Sequence, residues 1–177
     1  VVQAQFNLLD SHDTARFIHQ AGGDWRALEL ALLFMMTIPG APCIYYGTEI
    51  GMTGGPDPDC RRAFPWQDRA SWKTDLLDFT KRAIRLRQNH SALRRGHYVA
   101  LYAHEDLLAF ARRSEEESVL VMFNAGPDAR AVTLDVDELL PDGSHLDVWG
   151  GLRARVSKGT MRHLELPGRS AAVFVRG

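Results

Sequence analysis

The sequence predicts two domains of different class: an α/β domain over residues 1–90 and an all-β domain over residues 91–177. In the first part, short apolar runs alternate with longer segments of helical period, which is typical of a parallel sheet with helices. In the second part, short segments of period two follow one another with turn residues between them, which indicates antiparallel strands. The sequence therefore changes fold class once along its length.

The first domain opens with a strand–helix–strand unit. Ala4–Leu9 is apolar on both faces, which predicts a buried strand, and Asp10–Asp13 forms the loop at its end. Asp24 is a good N-cap for a largely buried helix that continues to Thr37. Cys43–Tyr46 has the pattern of a second short buried strand. A helix between two such strands predicts a βαβ unit with parallel strands.

A second, longer unit completes this domain. Gly47–Ala70 is a loop with four glycines and three prolines, and Ser71 can cap a helix that continues to Asn89. Two parallel strands are too few to bury one another. The order of elements is instead that of the last two βα units of a TIM (β/α)₈ barrel, whose functional loops follow the carboxyl ends of the strands.

The second domain is predicted to be an antiparallel β-sandwich, because seven short strands recur at sandwich spacing. The predicted strands are 98–102, 107–111, 119–123, 131–136, 146–149, 161–166 and 171–175.

Composition excludes several classes of function. The chain is 45% apolar and 24% charged with a formal net charge of −1, which predicts a globular protein without a nucleic-acid partner. No apolar stretch reaches about 18 residues, so no membrane partner is expected. Cys43 and Cys60 are expected to be free thiols, which favours a cytoplasmic location. The histidines show no metal-ligand spacing, and we expect neither a metal nor another cofactor.

Two blocks of sequence resemble a known family. FNLLDSHD at residues 6–13, followed by GAPCIYYGTE at residues 40–49, resembles the last two barrel strands of the alpha-amylase family of glycoside hydrolases. GMTGGPDPDCRR at residues 51–62 is similar to the branch that contains neopullulanase, cyclomaltodextrinase and maltogenic amylase. The all-β part resembles the domain that follows the barrel in that family.

The resemblance implies roles for individual residues. Asp13 matches the third carboxylate of the family, which stabilises the transition state. His12 matches a histidine that binds the sugar in the cleavage subsite. Asp57 and Arg61 match a pair that holds the next sugar toward the non-reducing end. Trp66 is a further candidate, because an exposed aromatic ring can stack on a sugar.

Each assignment has a simpler structural alternative. Asp13 could serve only as a helix N-cap. Asp57 and Arg61 could form only a loop ion pair. Trp66 could pack beneath its own loop, and this is the favoured alternative for that residue.

The resemblance implies a retaining α-glucan hydrolase that acts on α-1,4 bonds, and action on α-1,6 bonds stays open. The family's nucleophile and general acid/base come from the fourth and fifth barrel strands, so we expect the 177-residue chain alone to be inactive. Two alternatives stay open: a transglycosylase or glucan isomerase, and a catalytically silent relative that binds carbohydrate or assists assembly. We also expect self-association, or contact with the missing portion of the barrel, through exposed strand edges.

Overall fold

The computed structural model describes residues 4–176, which divide into two units. Within the described residues, the first unit covers the chain up to Met36 together with Gly40–Arg87. The second unit covers Thr37–Pro39 and the chain from Gln88 onward.

The first unit has the predicted βαβ order. Its elements are β1 (Phe6–Leu8), α1 (Phe17–Gln20), α2 (Trp25–Thr37), β2 (Ala41–Cys43) and α3 (Thr74–Asn89). β1 and β2 pair in parallel, with Phe6 opposite Ala41 and Leu8 opposite Cys43. Three short 3₁₀ turns lie between β2 and α3, at Thr48–Ile50, Asp59–Arg61 and Arg69–Ser71.

Both strands are shorter than predicted, and β2 begins earlier. Pairing stops at Cys43 because its partner, Leu8, is the last residue of β1. The prediction that β1 is buried is wrong for this chain: Phe6 is 64% exposed and Leu8 is 46% exposed. These two side chains point to one face of the strand, since side chains alternate, and the described residues leave that face largely uncovered.

The two longer helices follow the sequence signals, with one shift. The Asp24 carboxylate accepts a hydrogen bond from the Ala27 N–H at 3.0 Å and caps α2, as predicted. α3 begins at Thr74 rather than at Ser71. Trp72 is extended, and its indole Nε1 donates to the Pro65 carbonyl at 3.1 Å, which holds this segment in the loop.

Arg87 in α3 is a buried cation. It is 9% exposed and donates to the carbonyl oxygens of Met36 and Gly40, at 2.8 Å and 2.5 Å. These carbonyls lie near the end of α2 and directly before β2. A buried cation with backbone acceptors therefore fixes the connection that leads into β2.

The described part of the second unit contains one short helix and two antiparallel sheets. Its elements are α4 (Ser91–Arg95), β3 (His97–His104), β4 (Leu107–Arg113), β5 (Ser118–Asn124), β6 (Arg130–Asp135), β7 (Gly143–Leu146), β8 (Arg153–Ser157), β9 (Thr160–Leu166) and β10 (Ser170–Arg176). One sheet has the order β10-β5-β4-β3, and the other has the order β6-β9-β8-β7. Side chains from both sheets share one buried core, as in a sandwich.

Up to residue 176, where the described part of this unit ends, eight strands are present where seven were predicted. The strand missed was β8, in which Ala154 and Val156 point inward between exposed arginines. Alanine is a weak apolar signal, so the alternation was not visible in the sequence. The strand predicted at residues 146–149 lies earlier, over Gly143–Leu146. The short helix α4 was not predicted.

Candidate active site

The loops that follow β1 and β2 lie side by side, because parallel strands present their carboxyl ends at the same edge. The first loop carries His12 and Asp13, and the second carries Asp57 and Arg61. The structure brings these four residues into one cluster, although 43 positions separate the two pairs in the sequence.

Arg61 joins the cluster. Its Nε lies 2.7 Å from an oxygen of Asp57 and donates to the His12 carbonyl at 2.9 Å. Its Nη2 lies 3.6 Å from Oδ1 of Asp13. The other oxygen of Asp13 lies 3.2 Å from Nε2 of His12. One guanidinium therefore contacts both loops at once.

The cluster is open to solvent. The four side chains are between 47% and 69% exposed. Exposed ion pairs of this kind contribute about 0–1 kcal/mol to stability. The cluster is thus poorly suited to holding the fold together and is accessible to a ligand rich in hydroxyl groups.

The alternative in which Asp13 caps a helix is wrong. α1 begins at Phe17, and the Phe17 N–H donates to Oδ2 of Asp10 at 2.9 Å. Oδ1 of Asp10 accepts from the Thr48 hydroxyl, also at 2.9 Å. Asp10 is 3% exposed. Its buried carboxylate bonds to the start of α1 and to Thr48, and it thereby ties the two loops together. Sequence reasoning missed it, because no spacing distinguishes Asp10 from its neighbour Asp13.

A side-chain turn presents Asp13 to solvent. The Asp13 N–H donates to the Ser11 hydroxyl at 3.1 Å, and the Ser11 N–H donates to the Thr14 hydroxyl at 3.0 Å. Such hydroxyl–backbone bonds stabilise a tight turn. These bonds hold the backbone of the turn, and the Asp13 side chain stays 69% exposed.

A second acidic residue shapes the loop that carries Arg61. The N–H of Gly55, at 2.6 Å, and the guanidinium of Arg62 both bond to the carboxylate of Asp59, and they hold its pKa below the usual range. Gly54 packs so closely against this turn that a Cβ there would lie 2.6 Å from the Asp59 carbonyl oxygen. Only glycine fits without a shift of the backbone. Neither contact was predicted.

Two tyrosines after β2 line the same region. Their ring centroids lie 4.5 Å apart. Burial and a hydrogen bond with Tyr46 raise the pKa of Tyr45 to about 12. The Tyr46 hydroxyl donates to the Arg62 carbonyl at 2.9 Å, which links the end of β2 to the far side of the loop. Tyr45 is accordingly a neutral phenol at any physiological pH.

Trp66 does not pack beneath its loop, so the favoured structural alternative for it is wrong. It is 66% exposed and lies against Phe64, with ring centroids 4.3 Å apart. Phe64 in turn meets Trp72 edge-on at 5.4 Å. An exposed indole supported from behind presents a flat apolar surface to solvent.

The cluster offers carboxylate acceptors, guanidinium donors and an imidazole within a few ångströms. These groups can hydrogen-bond sugar hydroxyls, and Asp13 can favour positive charge that develops nearby. Among residues 4–176, no three histidine, cysteine or carboxylate side chains are grouped so that they could hold a metal ion. None of the helices in that range is long and apolar enough to cross a membrane.

Comparisons with known proteins identify the family of this chain. The family model of the alpha-amylase catalytic domain matches residues 1–96, and that of the neopullulanase-like C-terminal domain matches residues 98–175. A cyclomaltodextrinase from Bacillus sp is 47% identical over 69% of this chain and 22% of its own length. Neopullulanase 2 from Thermoactinomyces vulgaris is 43% identical over 77% of this chain and 23% of its own length.

Solved structures agree as well. An alpha-amylase from Anoxybacillus is 30% identical, with a TM-score of 0.87 over 98% of this chain and 38% of its own. The chain spans less than a quarter of the length of each of the two curated relatives, the cyclomaltodextrinase and neopullulanase 2. The prediction of the last barrel units followed by an antiparallel β domain is confirmed. This chain belongs to the alpha-amylase family of glycoside hydrolases.

Proposed function

We propose that the protein containing this chain hydrolyses α-glucosidic bonds in α-glucans, with retention of configuration. The observation that carries the proposal is the cluster of His12, Asp13 and Arg61 at the carboxyl ends of two parallel strands. The names of the relatives, cyclomaltodextrinase and neopullulanase, support the substrate class.

In this proposal Asp13 stabilises the transition state. Glycoside cleavage passes through an oxocarbenium-like state, which carries positive charge on the sugar ring. An exposed carboxylate can turn toward that charge. Arg61 lies 3.6 Å away and limits the motion of the carboxylate without a tight bidentate pairing. His12 binds the same sugar through its imidazole.

Asp57 and Arg61 bind the neighbouring sugar. Their ion pair at 2.7 Å orients both groups, and the remaining guanidinium N–H groups can donate to adjacent hydroxyls. Trp66 provides an apolar surface for stacking. Reaction with water needs two further carboxyl groups about 5–5.5 Å apart, which we assign to other barrel strands of the complete protein.

The test uses the complete protein and an Asp13→Asn variant. The unmodified protein should release sugars from maltooligosaccharides, cyclodextrin or pullulan, and polarimetry should show α-anomers as first products. Asp13→Asn should lower kcat by about 10²–10³ with a small change in KM. Asp75→Asn, an exposed substitution in the first turn of α3, is the matched control and should leave kcat unchanged.

Two outcomes would contradict the proposal at different levels. No turnover on any α-glucan by the unmodified protein would overturn the function. Full kcat in Asp13→Asn would overturn only the role of Asp13. The 177-residue chain alone should be inactive in the same assays.

Domain boundaries and location are parts of the same proposal. We place the end of the barrel portion at residue 90 and the start of the sandwich at residue 91. A role in carbohydrate metabolism in the cytoplasm is supported by the free thiols of Cys43 and Cys60. It is also supported by the name of a relative, the intracellular maltogenic amylase of Bacillus subtilis strain 168, which is 39% identical.

A further inference from the structure

Arg16 is a fully buried cation between the two loops of the candidate site, with 0% of its surface exposed. Its Nε donates to the Cys60 carbonyl at 3.0 Å, and its Nη1 donates to the Tyr46 carbonyl at 2.6 Å. Its backbone N–H donates to the Gly54 carbonyl, also at 3.0 Å. One residue of the first loop is therefore bonded to three separate points on the second.

The charge of Arg16 is balanced by aromatic faces and carbonyl dipoles. Its guanidinium carbon lies 4.1 Å from the centroid of Tyr45 and 4.8 Å from that of Tyr46, within the range of cation–π attraction. Its Nη2 has no hydrogen-bond partner among the described residues. Its Nη1 also lies 3.5 Å from the Thr48 hydroxyl, which in turn donates to the Asp10 carboxylate. Burial of a cation that reaches a carboxylate only through another side chain is costly. Because burial of this guanidinium is unfavourable in free energy, we expect Arg16 to have a role other than packing.

The contacts of Arg16 close a ring with the candidate site. Arg16 holds the carbonyl of Cys60, the residue before Arg61. The Cys60 thiol, at 3.3 Å, and the Arg61 guanidinium, at 2.9 Å, both donate to the His12 carbonyl. Asp13 completes the ring, since it lies between His12 and Arg16 in the first loop. Loss of the Arg16 bonds would free the second loop to move away from Asp13.

We infer that Arg16 is a positioning residue. From its buried position between the two loops it sets the distance between Asp13 and Arg61, without touching substrate. This inference rests on the proposed glycosidase function for its effect on catalysis. Its structural part, the mutual fixation of the two loops, is independent of that function.

The structural part is tested through the thiol of Cys60, which is 0% exposed. The complete protein and its Arg16→Met variant are treated with iodoacetamide under native conditions, and alkylation of Cys60 is followed by peptide mapping. We expect at least a tenfold faster reaction in Arg16→Met, because loss of one charge-assisted hydrogen bond shifts a local opening equilibrium by about that factor. Arg87→Met is the matched control: it also removes a buried arginine bonded to two carbonyls, but at the start of β2.

The catalytic part is tested by a double-mutant cycle with Arg61→Ala. If Arg16 acts through Arg61, the effects of Arg16→Met and Arg61→Ala on kcat/KM should be less than additive. Arg87→Met and Arg61→Ala should be additive. Arg16→Lys keeps the charge but cannot reach two carbonyls at once, so it should recover only part of kcat/KM. Where Arg16→Met does not fold by circular dichroism, Arg16→Lys takes its place in both tests.

The outcomes separate this inference from the proposed function. Equal Cys60 reactivity in the Arg16 and Arg87 variants would overturn the inference, whatever the activity. Additive effects of Arg16 and Arg61 would overturn its catalytic part. A protein without glucanase activity, in which Cys60 still becomes reactive in Arg16→Met alone, would overturn the proposed function and leave the fixation of the loops supported.

Discussion

Asp147 is the residue at which replacement of one side-chain atom should have the most predictable effect on the free energy of unfolding. Its side chain lies in the second unit and is 2% exposed. Oδ1 accepts from the N–H groups of Trp149 and Val173, both at 2.7 Å. Oδ2 accepts from the N–H of Gly150 at 2.7 Å and, more weakly, from that of Leu152 at 3.4 Å. The carboxylate therefore ties the loop after β7 to β10.

Asp147→Asn keeps the shape and replaces one oxygen by an NH₂ group. Asparagine can keep two of the acceptor contacts, without the charge, but its NH₂ then faces two backbone N–H groups. Each charge-assisted hydrogen bond contributes about 1.5–3 kcal/mol. Removal of a buried charge offsets part of this loss. We expect a net destabilisation of about 3 kcal/mol, which lowers Tm by roughly 6–12 °C for a chain of this size.

The measurement combines thermal unfolding with hydrogen exchange of the backbone amides. Protection should fall first at Trp149, Gly150 and Val173, the donors that lose their acceptor. Asp142→Asn is the control, because that carboxylate also accepts two backbone N–H groups, at 2.8 Å and 3.0 Å, but at an exposed site where water can replace it. Equal changes in Tm for the two variants would refute the reasoning from burial.

Three further predictions concern other parts of the chain. Burial opposes the charge of Glu117, but hydrogen bonds from the Ala92 N–H and His90 outweigh it and hold the pKa of Glu117 below its ordinary value. Its contribution to stability is therefore complete above that ordinary value and lost as pH falls through the lower folded value. Glu117→Gln should cost about 1–3 kcal/mol at neutral pH and flatten the acid limb of urea unfolding measured against pH; an unchanged acid limb would contradict this. Trp66→Ala in the complete protein should raise KM for maltooligosaccharides by about 2–10-fold with little change in kcat, since a stacking contact is worth roughly 0.5–1.5 kcal/mol, and an unchanged KM would argue against a sugar contact. The 177-residue chain should self-associate in sedimentation experiments, and Phe6→Ser should weaken this; a monomeric unmodified chain would exclude it.

The sequence was a good guide to the elements with strong periodicity. In α3, Leu76, Ala83 and Leu86 recur at helical spacing, and all three are buried. β5 and β10 are apolar along most of their length and were predicted within one or two residues. In these segments the local apolar pattern and the burial in the folded protein agree, so the pattern alone is sufficient to predict the helix or strand.

The sequence was a poor guide wherever a polar group is buried by long-range contacts. Arginine is usually a surface residue, yet Arg16 and Arg87 are buried. Their carbonyl acceptors lie 30 to 51 positions away in the sequence. Asp10 differs from Asp13 only in what surrounds it after folding. No local pattern carries this information, because the partners come from another part of the chain.

The sequence by itself determined the family, the order of the barrel units and sandwich, and which residues match the family's site, because those rest on residue types at fixed spacing. Only the tertiary structure decided that Arg61 reaches both His12 and Asp13, and that Asp10 rather than Asp13 accepts from the first N–H of α1. The physical reason is that parallel strands place distant loops at one edge, and hydrogen-bond geometry there selects which polar side chains are buried and which stay exposed.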